Sequence, residues 1–415
     1  MRSWVRTIAG VCLVAAAATP AAPQAPRPAA GKWVSGFYVG YMADTYPPSA
    51  IDFSSLTHVM VFSVLPQRNG TLDTTVFVDR VNGPRIAQEV AMRAHAAGRK
   101  AILAIGGSDT QAGFKAATSS ENLSTFVRNI VDTATSWGFD GVDIDWEPIP
   151  AADYTTMLTL VQRLKAARPG IIVTADVGFQ TQNFPLNATD ARFYAQLAAL
   201  VDQMNMMTYG MADNWDGWVV WHSSAVRGEG RDHPTSIQSS VREYVGAGVP
   251  ASKLGMGIGF YGSCWNAPAT TPLQAPLSSQ VVASDNDISF AAITNTYYRP
   301  DRYRYDANAQ APYLSFTVPT GPKRCTFISY EDETSVAAKG RYAVEAGLGG
   351  TIIWQINEGY VIGQPDPSSL LHAVGRAFGV SAPAGERDPK EKDPRAPRDK
   401  GESRRPLRPG GRGVQ

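Results

Sequence analysis

Short apolar runs alternate with amphipathic stretches between residues 31 and 380. Eight runs read as strands: GFYVGYM (36–42), LTHVMVFSVL (56–65), KAILAIGG (100–107), GVDIDWE (141–147), IIVTADVG (171–178), VDQMNMMTYG (201–210), KLGMGIGFYG (253–262) and GGTIIWQI (349–356). Several are nearly continuous in apolar residues, as parallel strands buried on both faces should be. Helical periodicity runs through 78–97, 119–137, 151–167, 191–200, 236–247 and 335–346. Gly or Pro precedes the later strands, as in ARPG before the fifth and GLGG before the eighth. Repeated βα units that stop at eight predict an α/β fold, a (β/α)8 TIM barrel. An open doubly wound sheet is the alternative, but its first strand would lead into a Gly-rich phosphate loop, and GYMADTYPPS is not one.

Two connections exceed the length of ordinary βα loops. Residues 211–234 follow the sixth strand and hold Trp215, Trp218 and Trp221. Residues 263–326 follow the seventh and predict a small insertion between strands 7 and 8, with Cys264 and Cys325 at its edges.

Both ends differ from this core. Arg2 and Arg6 precede an apolar run from Ile8 to Ala18, then small residues. That reads as a signal peptide of about 25 residues, cleaved between Ala17 and Gln24; a membrane anchor is the other reading. The expected compartment is therefore extracellular. Cys12 would leave with the signal, and the remaining two of the three cysteines are expected to pair. Residues 381–415 carry ten Lys/Arg and six Asp/Glu among many Pro and Gly, and read as a disordered tail. A formal net charge of +1 over 415 residues gives no global pull toward nucleic acid or a membrane surface, and neither partner is expected.

The fourth run carries the candidate chemistry. Residues two apart on a strand share a face, so Asp143, Asp145 and Glu147 point one way and Val142, Ile144 and Trp146 the other. In a barrel the first set faces the axis and climbs toward the C-terminal mouth, with Glu147 nearest the rim. Asp140 has the opposite parity and reads as a turn or cap carboxylate. Stacked carboxylates suppress one another's ionisation, so at least one should hold a proton near neutral pH, as a general acid requires. A calcium loop starting at Asp143 would need Gly and Glu where Pro148 and Tyr154 stand. A divalent metal of another type is the alternative, but the five histidines have no HxxxH or HxH spacing to support it. No metal and no cofactor are expected.

DGVDIDWE resembles the DGxDxDxE signature of glycoside hydrolase family 18, the chitinase-like TIM barrels. AILAIGG, MNMMTYG, KLGMGIGFYG and the closing unit FISYEDETSVAAKGRYAVEAGLGGTIIWQIN resemble that family's third, sixth, seventh and last segments, in order. The resemblance implies a substrate-assisted, retaining hydrolase of β-1,4-linked N-acetylglucosamine polymers. Separately, a monomer is expected. The resemblance also implies that Glu147 protonates the glycosidic oxygen and that the substrate's own acetamido oxygen attacks the anomeric carbon. Asp145 would orient that group, Asp143 would share a proton with Asp145 from below, and Tyr209 would hydrogen-bond the acetamido carbonyl. Trp354 would floor the sugar site. Met207 and Asn205 share the inward parity of Tyr209, and Tyr41 and Trp221 are further candidates for substrate contact. For Tyr41, as for Phe62 and Tyr261, a plain core role is equally open.

Two departures stand out. The family usually has SxGG on the third strand, where this chain has Ala104, and an Asp after the tyrosine, where it has Gly210. Rival readings are an endo-β-N-acetylglucosaminidase acting on N-glycans and a non-catalytic chitin-binding lectin. Such lectins typically lose the acid glutamate, and Glu147 is present.

Overall fold

In the computed structural model, residues 31–380 are described apart from 214–217, 231–234 and 275–279. The signal-peptide and tail readings, Cys12 and Trp215 fall outside the described residues. Eight strands run parallel in chain order: Trp33–Val39, His58–Pro66, Lys100–Gly107, Gly141–Trp146, Ile172–Gly178, Gln203–Met207, Leu254–Gly259 and Gly350–Trp354. The first pairs with both the second and the eighth, which closes the barrel. The (β/α)8 expectation holds.

Strand ends move where polarity does not change. The first strand starts at Trp33 and stops at Val39, and Gly40–Met42 forms a 3-10 turn although YVGYM is apolar throughout. The sixth stops at Met207, and Gly210 at φ 60° turns the chain away. After the eighth, Ile356–Gly359 is again a 3-10 turn. Each expected helical stretch holds a helix: Asn82–Ala96, Leu123–Ser136, Tyr154–Ala167, Ala188–Leu200, Ile237–Gly246 and Glu333–Glu345. Outside the insertion, the described residues add two helices that the periodicity does not predict, Gln111–Ala117 and Ser369–Phe378. The caps are legible in the sequence: Asn187 accepts from the amides of Thr189 and Asp190, and Asp332 forms a reciprocal box with Ser335.

The pleat sorts the side chains. Val142, Ile144 and Trp146 face outward into the helical layer, where Trp146 stacks on Phe114 at 4.7 Å. Inside, buried Phe37, Met60, Ile102, Ala104 and Ile352 make an apolar plug below the mouth. Asp140 lies at the opposite end of the barrel from the mouth. It accepts from Lys100 Nζ at 2.6 Å and the Ala101 amide at 3.0 Å, and lies 2.8 Å from His95 Nε2. Burial opposes its ionisation, but these partners prevail and hold its carboxyl below the usual range. Its place is structural.

After the seventh strand the chain builds a five-stranded antiparallel sheet. In spatial order it comprises Val281–Ala283, Ser263–Trp265, Cys325–Ser329, Ala311–Thr320 and Tyr303–Asp306. A disulfide joins Cys264 to Cys325, with Cα atoms 5.4 Å apart and a sequence separation of 61. Closing a loop of that size stabilises the fold by roughly 4 kcal/mol through chain entropy. A second apolar cluster covers one face of this sheet, and Trp221 belongs to it with Ala212, Val220, Trp265 and Phe327. Trp221 is 1% exposed and its Nε1 donates to the Thr235 carbonyl at 2.8 Å. The expected substrate contact at Trp221 is therefore corrected: the ring is core, packed in the apolar cluster on the face of this sheet.

Candidate active site

The signature strand carries its carboxylates up the barrel axis. Asp143 is fully buried, Asp145 is 3% exposed, and Glu147 is half-buried one residue past the strand. Parallel register sets Asp143 between Ala104 of the third strand and Thr174 of the fifth, and Asp145 beside Gly106. Gly106 is required there. At φ 108° it takes a backbone that disfavours a side chain, and a Cβ would lie 2.2 Å from the Asp145 carbonyl oxygen. Asp143 Oδ1 accepts from the Thr174 hydroxyl and from Asn205 Nδ2. A hydroxyl does reach the lower aspartate despite Ala104; it comes from the neighbouring strand.

Burial is the largest influence on all three inward aspartates. It raises the carboxyl of Asp143, against donors from Thr174, Asp176 and Asn205. It raises Asp145 well above the usual range, reinforced by the charges of Asp176 and Glu147, and Asp145 is in hydrogen-bonding contact with Glu147. Asp176, on the fifth strand, is raised by burial and then by Asp143. Asp143 Oδ2, Asp145 Oδ1 and Asp176 Oδ1 are buried with no N–H or O–H donor among the described residues. Carboxyl oxygens packed this way are satisfied by protons on the acids themselves. The array can thus hold protons beneath a rim acid. Among the described residues no group of three or more His, Cys, Asp or Glu is arranged to hold a metal ion.

Around the mouth, Met207 and Tyr209 are half-buried at the end of the sixth strand. Burial, then the charge of Asp176, pushes the Tyr209 phenol well above its ordinary value, so it stays a neutral donor. Trp354, also half-buried, packs edge-on against Phe62 at 4.8 Å and Phe37 at 5.3 Å. Its Nε1 donates to Asp285 Oδ1 at 2.7 Å. Tyr41, 41% exposed, donates to Asn286 Oδ1 at 3.2 Å and accepts from Gln355 Nε2 at 3.1 Å. Asp285 and Asn286 come from the insertion, so the insertion fixes the orientation of the Trp354 indole.

The geometry revises one further expectation. Asn205 is fully buried and uses both ends of its amide, donating to Asp143 and accepting from Gln203 Nε2 at 2.9 Å. It lies beneath the site with its amide taken up by protein partners, which revises its expected place at the substrate. Trp218, half-buried, stacks on Phe184 at 6.0 Å. At Gly210 the missing carboxylate goes with a left-handed backbone, φ 60°, that an aspartate would strain.

Several residues escaped sequence reasoning. Asp176 and Thr174 carry the same signal as the signature strand, polar groups at inward parity in an apolar run. Phe77 has no such signal. It is 45% exposed and stacks on Phe62 at 5.5 Å with an interplanar angle of 4°. Val76 and Phe77 hold left-handed φ values of 51° and 55°, a strained conformation that concentrates at binding sites. Tyr41 and Phe77 also line a pocket of about 580 Å³ together with Pro47, Asn82 and Glu89.

The profile of glycosyl hydrolases family 18 matches residues 37–359. A class V chitinase of Arabidopsis thaliana is 27% identical over 364 residues, covering 81% of this chain and 88% of the relative. Endochitinase 1 of Metarhizium robertsii is 24% identical over 387 residues, covering 84% and 86%. The crystal structure of the Ostrinia furnacalis group IV chitinase in complex with allosamidin superposes with a TM-score of 0.71 at 20% identity, covering 84% of this chain and 99% of that one. A class V chitinase mutant from Cycas revoluta in complex with (GlcNAc)3 gives 0.66 at 23% identity, covering 84% and 100%. With the profile spanning most of the barrel and the signature carboxylates on its fourth strand, this chain belongs to glycosyl hydrolases family 18.

Proposed function

We propose that this glycoside hydrolase cleaves β-1,4-linked N-acetylglucosamine polymers, with retention of configuration and with the substrate's acetamido oxygen as nucleophile. The observation that carries the reading is the vertical order of the carboxyls. Glu147 stands at the rim, Asp145 touches it from below, and Asp143 is buried beneath. Glu147 donates its proton to the glycosidic oxygen as the bond breaks. The acetamido oxygen closes on the anomeric carbon, and Asp145 orients the amide and faces the positive charge that develops. Tyr209, kept neutral, donates to the acetamido carbonyl. Trp354 offers an apolar plate to the CH face of the sugar ring, and Met207 closes the side of the same subsite. Water then opens the cyclised intermediate, with Glu147 now acting as base.

The names of the similar chitinases support this substrate class. Among the described residues no helix is long and apolar enough to cross a membrane. The signal-like leader and the Cys264–Cys325 bridge support secretion into an oxidising compartment, where the protein would act as a monomer. Product analysis on chitin oligomers beside an N-linked glycoprotein tests the substrate. Short N-acetylglucosamine oligomers are expected; release of intact glycans instead would favour the N-glycan reading.

Phe77 extends the aromatic wall beyond Trp354 by way of Phe62. Truncating an exposed aromatic that only binds should weaken substrate and transition state alike. Phe77→Ala is expected to raise KM for long chitin oligomers about 3–10-fold and leave kcat within about twofold, the size of one stacking contact. Steady-state kinetics on oligomers of increasing length checks this. An unchanged KM would remove Phe77 from the binding path.

A further inference from the structure

Asp176 has no assigned part in the chemistry above. It sits two residues beyond Thr174 on the inward face of the fifth strand and is 8% exposed. It is in register with Asn205 of the sixth strand. Continuing the Asp143–Thr174 register by two residues brings it level with Asp145. From the fourth strand it faces Asp143 and the charge of Glu147, and from the sixth Asn205. Its own charge bears on Asp145 and Tyr209.

The family resemblance has Asp143 share a proton with Asp145. The geometry here differs. Asp145 is in hydrogen-bonding contact with Glu147 above it, and Asp143 is in contact with Asp176 beside it. Asp143 Oδ1 already receives the Thr174 hydroxyl and Asn205 Nδ2. Among the described residues, Asp143 Oδ2 and Asp176 Oδ1 have no other donor. Two buried carboxyls in contact do not both ionise readily. A proton on Asp176, donated to Asp143, satisfies the pair.

We propose that Asp176 is a positioning residue of the cleavage reaction: it replaces Asp145 as the proton partner of Asp143, and so leaves Asp145 held upward against Glu147 and the acetamido group. No bond to substrate is involved. During turnover the proton stays within the Asp143–Asp176 pair. The inference rests on the hydrolytic reading above.

Three variants test it, each checked for folding by thermal melting. Asp176→Ala removes the donor to Asp143, and kcat on chitin oligomers should fall by about tenfold or more, with KM within about threefold. Asp176→Asn keeps a donor but has no charge, so on the acid side its kcat should stay within a few-fold of the unsubstituted enzyme. On the alkaline side the two differ. In the unsubstituted enzyme, rising pH drains the shared proton and leaves an added negative charge, which helps the rim acid hold its own proton. Asparagine cannot supply that charge, so the alkaline limb of kcat/KM should move to lower pH by about half a unit or more. Thr174→Val removes the other hydroxyl donor to Asp143 without a titrating group, and should lower the rate without moving the limb. If Asp176→Asn fails to fold, Asp176→Ser carries the same comparison. Profiles that merely scale down at every pH would overturn the proposal. So would a limb that moves as far in Thr174→Val, or wild-type rates in Asp176→Ala. If the unsubstituted protein releases no sugar from chitin oligomers, the hydrolytic reading itself fails, which is a separate result.

Discussion

Replacing Glu147 with Gln is expected to lower turnover on chitin oligomers by about 10²–10⁴-fold or more while leaving oligomer binding nearly intact, because cleavage would lose its proton donor. The position explains why no neighbour can substitute. Asp145, Asp143 and Asp176 are buried below the rim, at 3%, 0% and 8% exposure, whereas Glu147 is half-buried at it. Tyr209 holds its proton too tightly to serve as the acid. Glutamine keeps the shape and a hydrogen-bond donor but has no acidic proton to give. Binding should persist because the aromatic contacts at Trp354 and Phe77 do not involve Glu147. Steady-state rates together with calorimetric binding separate the two effects. Near-normal turnover in Glu147→Gln would remove this residue as the acid.

The second large effect concerns the substrate. Cellulose oligomers share the β-1,4 backbone of chitin oligomers but have no acetamido group. They should not be cleaved at any measurable rate, since the proposed nucleophile is absent. The site gives the reason: Asp145 is buried, raised well above the usual carboxyl range, and occupied with Glu147, which makes it a poor nucleophile of its own. A thiazoline mimic of the cyclised acetamido intermediate should therefore compete with substrate, fitting between Asp145 and Tyr209. Cleavage of cellulose oligomers would assign direct attack to a protein carboxylate.

Much of this was legible in the chain. The eight strands were readable because a barrel strand is covered on both faces and so runs apolar without a break. Their ends were less readable, because YVGYM and MTYG remain apolar after the strand has stopped and only a turn or a left-handed glycine marks the change. The carboxylate strand was readable because three acids at period two in an apolar run have few structural uses. Asp176 carried the same sign in IIVTADVG, with Thr174 at the same parity, but one acid in a strand is a quieter signal than three. Trp221 was misplaced for a physical reason. Tryptophans in a long loop look like surface contacts until the loop is known to cover a sheet, and the insertion supplies a second core that periodicity does not announce. Phe77 and the Asp285–Trp354 contact depend on loops meeting across the mouth, which no local pattern encodes.

Internal attack by the acetamido group gives net retention, and the anomer formed first reports it. Proton NMR of chitin-oligomer cleavage, recorded before mutarotation, should show the β-anomer as the initial product. An initial α-anomer would mean that water attacks directly from the opposite face. That result would contradict the proposed roles of Asp145 and the acetamido group.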